Sequence, residues 1–180
     1  MSAEMGRTYL YRTAIGQDSH RYAQSPGEAG ARPLKLAGVK LAAEADSSAD
    51  APCFCLANSD GDVLFHAVCN AVSGLTAKPV LGRRCDELCR AGQTDSRAYL
   101  DLALSELGTL ELVHCSCSIE AKRPRLEPSL ERLRASLAEA LGLPLRSVAI
   151  TATTGEGLSG MGRGEGIQVL CVLTAREAAL

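Results

Sequence analysis

The 180-residue chain has no tryptophan and only two phenylalanines. That scarcity excludes an aromatic platform on which the bases of a single-stranded nucleic acid would stack. It also lacks an excess of either charge: 19 Lys and Arg against 21 Asp and Glu leave a formal net charge of −2, so no basic nucleic-acid surface is expected. No apolar run approaches the ~18 residues that a membrane-spanning helix needs. The first residues, Met1 to Arg7, show no charged segment followed by an apolar one, so neither a secretion signal nor a transit peptide is read there, and the cytoplasm is the expected compartment.

What is present fits one folded domain. Hydrophobic residues make up 46% of the chain, too many for a disordered segment. Residues 1–180 are read as a single domain, with 1–8 as a flexible tail. The eight cysteines form no C-x-x-C pair: Cys53 and Cys55, like Cys115 and Cys117, are two apart. With no sign of an oxidising compartment, they read as reduced, buried, small apolar side chains.

Tyr9 to Ala14 alternates as a strand does and delivers Asp18 and His20 at its end. Residues 23–33 have loop composition. Leu34 to Leu41 reads as a strand broken at Gly38, and residues 42–57 as loop. Asn58-Ser59-Asp60-Gly61-Asp62 reads as a helix start with Ser59 as the cap and Asp62 as the reciprocal acid. That helix runs to about Ser73 and stops at Gly74. Residues 76–94 form a long connecting segment, and a second helix covers about Asp95 to Leu107. Thr109 to Ala121 is the clearest strand. Val113, Cys115, Cys117 and Ile119 share one face; Leu112, His114, Ser116, Ser118 and Glu120 share the other. Leu130, Leu133, Leu137 and Leu141 stripe a third helix that begins near Pro128. Strands follow at Ser147–Thr153 and Ile167–Thr174, joined by a glycine-rich turn. The pattern predicts an α+β fold, a mixed sheet with helices packed on one face.

The chemistry starts at Asp18 and His20. Two apart on an extended strand, they point to the same side, and a carboxylate with an imidazole suits a divalent ion such as zinc. Two ligands make a weak site. The chain has three histidines, so a third ligand is either His66 or His114. On a helix, Asp62, His66 and Asn70 share one face, and a polar stripe on an apolar helix needs partners. His114 lies on the polar face of its strand. Either histidine also has an ordinary reading, as a satisfied core residue or a surface residue.

Four segments in order carry a resemblance: Gln17-Asp18-Ser19-His20; Asn58 to Asp62 with His66; Ala152-Thr153-Thr154-Gly155-Glu156; and Gly162-Arg163-Gly164-Glu165-Gly166. Together they resemble the 2-C-methyl-D-erythritol 2,4-cyclodiphosphate synthase family over nearly the whole chain. The resemblance implies a homotrimer whose sheets face a threefold axis, with active sites between subunits. It implies Asp18, His20 and His66 as ligands of a divalent metal, zinc with manganese or cobalt as alternatives, and Glu156 as the carboxylate for a second ion, magnesium or manganese, bridging the substrate diphosphate. It implies catalytic positions at Thr154 and Asn58. Substrate contacts are implied at Ser59, Gly82 and Thr153, and a cytidine pocket at Ala121, Lys122, Arg123, Pro124, Arg125 and Leu126. Arg163 matches a position near the threefold axis where an anion could sit. The implied partner is a small cytidine diphosphate substrate. The implied reaction turns 4-diphosphocytidyl-2-C-methyl-D-erythritol 2-phosphate into the 2,4-cyclodiphosphate and CMP, a step of the non-mevalonate isoprenoid pathway.

The chain departs from the family at one end. Asn58 replaces a common histidine and Asn70 an aspartate. Val80-Leu81-Gly82 stands where the family has Asp-Ile-Gly, and Arg83 to Gly92 does not match its Phe-Pro-Asp-Thr-Asp segment. Asp86 is the carboxylate there that could substitute. Two other readings compete: a metal-dependent phosphoesterase that activates water, and a non-catalytic trimer that binds metal and cytidine nucleotide.

Overall fold

The computed structural model describes residues 8–41 and 54–179. Strand β1 (Tyr9–Arg21) is followed by the short strands β2 (Ala31–Pro33), β3 (Lys35–Leu36), β4 (Val39–Lys40) and β5 (Phe54–Leu56). Helices α1 (Val63–Thr76), α2 (Arg83–Arg90) and α3 (Ser96–Leu104) come next, then β6 (Glu111–Ala121), α4 (Leu130–Leu141), β7 (Val148–Thr153), the short α5 (Gly160–Arg163) and β8 (Gly166–Ala178). The main sheet is ordered β1-β8-β6-β7. β8 is antiparallel to both of its neighbours, and β6 and β7 are parallel, so the sheet is mixed.

Alternation decides which sheet face is covered. Ile167, Val169, Cys171, Leu173 and Ala175 of β8 are buried, as are Cys115, Cys117, Ile119 and Ala121 of β6. These residues point toward the helices. The intervening residues face away, and among them Ile15, Leu170 and Val172 are 65%, 39% and 38% exposed. The expected faces of β6 are observed from His114 to Ala121; before that, a bulge between Leu112 and His114 sets Leu112 opposite the buried Ala175, so Leu112 rather than Val113 packs against the core. The Leu133, Leu137 and Leu141 stripe of α4 is buried as expected.

α1 is the centre of the molecule. Its buried residues run from Val63 to Leu75 on all sides, as expected of a helix wrapped by other elements rather than lying on a surface. It packs on β1 and β8 on one side and α3 on the other. The approach to β1 is at backbone distance. A Cβ on Gly16 would sit 2.1 Å from the Ala67 carbonyl oxygen and 2.2 Å from the Ala71 nitrogen.

Several expectations are corrected. α1 does not stop at Gly74; it continues to Thr76 and ends on Ala77 in the left-handed region. Gly74 is there for close packing, since a Cβ on it would lie 2.9 Å from that of Ala14. The cap is Asp62 rather than Ser59, whose hydroxyl accepts from the Gly61 N–H in the preceding turn. The buried Asp62 carboxylate accepts from the N–H groups of Phe65, Ala37 and Gly38 at 3.0, 2.9 and 2.6 Å. It thus ties the start of α1 to the β3–β4 turn, and burial pushes its carboxyl up to about 6. Leu34 to Leu41 is a tight hairpin, not one broken strand. The connecting segment 76–94 contains α2, an eight-residue helix with one buried residue, Cys85, and an exposed Arg83–Glu87 pair. The loop readings at 23–33 and 42–57 omitted β2 and β5, which pair with each other. Residues 42–53 and the first seven residues of the expected tail lie outside the described residues. At the tail's eighth position, the Thr8 carbonyl accepts the Ala179 N–H at 2.9 Å.

The contact at Gly16 has a measurable consequence. Gly16→Ala forces α1 off β1, and overpacking of this kind is expected to cost about 3 kcal/mol. The urea midpoint should fall accordingly with an unchanged slope; a wild-type midpoint would refute the close approach.

Candidate metal and phosphate site

Asp18 and His20 lie on the β1 face that carries Gly16, directly under α1. Because the helix backbone touches Gly16, His66 on the adjoining turn reaches down between them. The Asp18 Oδ2 lies 3.0 Å from His20 Nε2 and 3.1 Å from His66 Nδ1, and the two nitrogens are 3.3 Å apart. Donors placed tetrahedrally around an ion at about 2.0–2.1 Å are about 3.3 Å apart, so this triangle has the size that a divalent ion requires. The three residues form one of two groups among the described residues able to hold a metal ion. His114 is on the far strand face and takes no part.

Hydrogen bonds behind the donors set their tautomers. The His20 Nδ1–H donates to the Leu56 carbonyl at 3.1 Å, which leaves Nε2 with its lone pair free for the ion. Ser96 donates its hydroxyl proton to Asp60 Oδ1. Its oxygen must therefore accept from the His66 Nε2–H, at 2.9 Å, which leaves His66 Nδ1 free. Asp60 in turn pairs with Lys35 at 2.6 Å, and Lys35 also reaches Asp95 at 3.3 Å. This Lys35–Asp60–Ser96–His66 chain aims the imidazole and fixes which ring nitrogen faces the ion.

The charges follow from these contacts. Burial alone would raise the Asp18 carboxyl, but the hydrogen bonds and charges of His20 and His66 hold it at about 2. Burial would lower His20; the Asp18 carboxylate outweighs that and raises it. Burial of Asp60 is likewise outweighed by Lys35 and Ser96, which lower its carboxyl.

His20 and His66 open into a cavity of ≈ 210 Å³. Asn58, Ser59 and Gly82 line it, as do Asp86, Cys85 and Cys89 from α2. Tyr99 closes the back, stacked on His66 with ring centroids 6.1 Å apart. The Cys89 thiol donates to the Asn58 carbonyl at 3.3 Å, pinning α2 to that wall. Asn70 is outside this group: its amide donates to the Gln17 carbonyl at 2.8 Å.

A second cavity, of ≈ 300 Å³, lies where β6 and β7 end. Ala121, Lys122, Pro124, Arg125 and Leu126 line one side, and Thr153 and Thr154 the other. Arg123 turns away, over the Tyr22 ring at 5.5 Å, and its carbonyl accepts from the Tyr22 hydroxyl. Glu156 is exposed just beyond Thr154, at a positive φ of 49°. Arg163 pairs with Glu165 at 2.9 Å, both half exposed.

The register places the two cavities in one row. His20 is opposite Ile167, Ile167 is opposite Ala121, and Glu120 is opposite Thr153. β1 and β7 are the two edges of the sheet. Three interstrand steps put them about 14 Å apart, so a single chain does not bring Glu156, Thr153 and Thr154 to the metal donors.

The model of the YgbB family matches residues 11–176. The chain belongs to that family. A YgbB relative from Chlamydia abortus, named 2-C-methyl-D-erythritol 2,4-cyclodiphosphate synthase, is 46% identical over 171 residues, covering 94% of this chain and 91% of the relative. A solved 2C-methyl-D-erythritol-2,4-cyclodiphosphate synthase in its CDP-bound form is 28% identical with a TM-score of 0.72, covering 91% of this chain and 99% of that one. The bifunctional IspDF of Campylobacter jejuni matches at 26% identity and a TM-score of 0.78 over 94% of this chain; the match spans 43% of that longer chain.

Sequence reasoning missed Ser96, Asp60, Lys35 and the cavity face of α2. Asp60 and Ser96 each sit beside a helix start, where capping is the ordinary reading, and no local signal links them across 36 residues. Asp86, the carboxylate that could substitute in the Arg83 to Gly92 segment, lines the same cavity as His20 and His66.

Metal analysis tests the donor set. His66→Ala should leave no bound divalent metal after dialysis. Ser96→Ala keeps all three donors but should weaken metal affinity about 10–100-fold; unchanged affinity would show that the chain behind His66 is idle.

Proposed function

We propose that the chain is a 2-C-methyl-D-erythritol 2,4-cyclodiphosphate synthase. It converts 4-diphosphocytidyl-2-C-methyl-D-erythritol 2-phosphate into the cyclodiphosphate and releases CMP. The observation that carries this reading is the Asp18–His20–His66 triangle at the mouth of a cavity, in one row with an apolar cavity bounded by Thr153 and Thr154. The curated relatives with this name support it.

The reaction joins two ends of one molecule. The 2-phosphate attacks the β-phosphorus, a P–O bond forms, and the bond to CMP breaks. Both reacting groups are anionic, so catalysis rests on charge compensation and alignment, with no side-chain nucleophile. Held end to end, such reactions gain about 7–11 kcal/mol from orientation. Asp18, His20 and His66 would hold a divalent ion, zinc or a similar metal, whose charge offsets that of a phosphate oxygen. Glu156 would hold a second ion, magnesium or manganese, against the diphosphate. Thr153 and Thr154 donate to its oxygens, and the Asn58 amide and Ser59 hydroxyl donate at the metal-side cavity. The loop from Ala121 to Leu126 takes the cytidine. Arg163, near the threefold axis, faces an anion.

The cavities on opposite sheet edges are joined between copies of the chain. In this reading three chains pack with their sheets around a threefold axis, and β1 of one meets β7 of the next. The uncovered sheet face supports the assembly: Ile15, Leu170 and Val172 form an apolar patch across β1 and β8, of a kind that a lone chain tends to cover.

Incubating the protein with the cytidylyl substrate and identifying the products tests the reading. Cyclodiphosphate with CMP is the expected result. Hydrolysis products would instead mark a phosphoesterase, and nucleotide binding without turnover a non-catalytic protein. Sedimentation should give three times the 18.9 kDa chain mass. Thr154→Val should lower kcat by at least about 10-fold, since it removes a hydrogen bond to developing charge; a wild-type kcat would take Thr154 out of the reaction.

A further inference from the structure

Away from the cavities, the other group of metal-ligating side chains is in the core. Cys115 and Cys117 are neighbours on one face of β6, and Cys171 stands opposite Cys117 on β8. All three are buried on the helix-covered face, and their sulfurs lie within 4.8 Å of one another. Cys115 Sγ is 3.8 Å from Cys117 Sγ and 3.9 Å from Cys171 Sγ. Thiolates arranged tetrahedrally about a centre with bonds of about 2.3 Å lie about 3.8 Å apart. Two of the three separations are therefore those of sulfurs that share one atom, and the third pair lies within 4.8 Å.

The surroundings select which atom. Among the described residues no fourth histidine, cysteine or carboxylate joins the group, whereas a structural zinc site requires four ligands. The neighbours are apolar: Ile119, Val169 and Leu173 are fully buried beside the cysteines. A divalent ion with three thiolates would leave a net negative charge in this dry interior, and a monovalent one would leave two, both costly. A trivalent element leaves none. Thiolates favour soft partners, and a trivalent element with a lone pair needs no fourth ligand.

We propose that Cys115, Cys117 and Cys171 form a trithiol site for a trivalent thiophilic element, of which arsenite is the accessible form. The exchange balances without redox change. Arsenous acid, As(OH)3, meets three thiols; three As–O bonds break and three As–S bonds form. Each thiol proton leaves on a departing hydroxide, giving three waters. Because the sulfurs are buried, the reaction proceeds through local opening between α1 and the sheet and is slow. It does not depend on the proposed activity.

The experiment uses the full chain with a phosphine reductant, since a dithiol would compete for arsenic. After incubation with excess arsenite and removal of the free form, native mass spectrometry should show one arsenic per chain, with the mass of three hydrogens lost. Arsenic X-ray absorption should show three sulfur neighbours and no oxygen. The double variant Cys85→Ala/Cys89→Ala, which removes the thiols beside the metal donors, should bind the same single arsenic. Cys171→Ala should bind none in this trithiol mode; Cys115→Ala serves as a second variant should the first fail to fold. No arsenic on the wild-type chain, a coordination shell of two sulfurs and one oxygen, or full trithiol binding by Cys171→Ala would overturn the proposal.

Discussion

Everything in this molecule depends on how closely α1 lies on β1. A helix packed through ordinary side chains stands 8–10 Å from its neighbour. Here Gly16 lets the helix backbone touch the strand at Ala67 and Ala71, and Gly74 extends that contact by about another turn. The depth of this seat lets His66 reach Asp18 and His20 with donor separations of 3.0–3.3 Å. A methyl group at Gly16 would lift the helix and open the triangle. The same seat buries α1 on all sides, so the element that holds a ligand is also the one with the most apolar surface at stake.

The second constraint is polar. Three imidazole and carboxylate groups so close together are stable only if each points one way. The Leu56 carbonyl fixes His20, and Ser96, aimed by Asp60 and Lys35, fixes His66. The Asp62 carboxylate serves the fold rather than the ion, gathering three N–H groups where α1 meets the β3–β4 turn. Two aspartates two residues apart thus have different tasks, set by which backbone groups each can reach. Strand spacing supplies the third constraint. Asp18 and His20 sit on one edge of the sheet and Thr153 and Thr154 on the other, with Ile15, Leu170 and Val172 exposed on the uncovered face.

Much of this was legible in local pattern. Period-two alternation revealed the covered face of β6, leucines at helical spacing revealed α4, and Asp18-x-His20 on a strand followed by His66 on a helix revealed two halves of the site. The misses share a cause. Gly74 reads as a helix stop because glycine usually is one, yet here it meets Ala14, a residue 60 positions away in the chain. Ser59 reads as the cap because serine often is, but Asp62 has three N–H groups to satisfy. α2 has a weak apolar stripe, with only Cys85 buried, so periodicity passed over it.

The sequence by itself determined the residue types, the periodicities and the pairs within one element, because neighbours at two or four positions face the same way in any strand or helix. It narrowed the third ligand to two histidines, and a family resemblance chose between them. The tertiary structure shows His66 closing the triangle, and it alone decided that Ser96 and Asp60 stand behind it and that Cys171 meets Cys115 and Cys117. Those are distances between elements, and they are set by how deeply one backbone can settle onto another, which no local periodicity encodes.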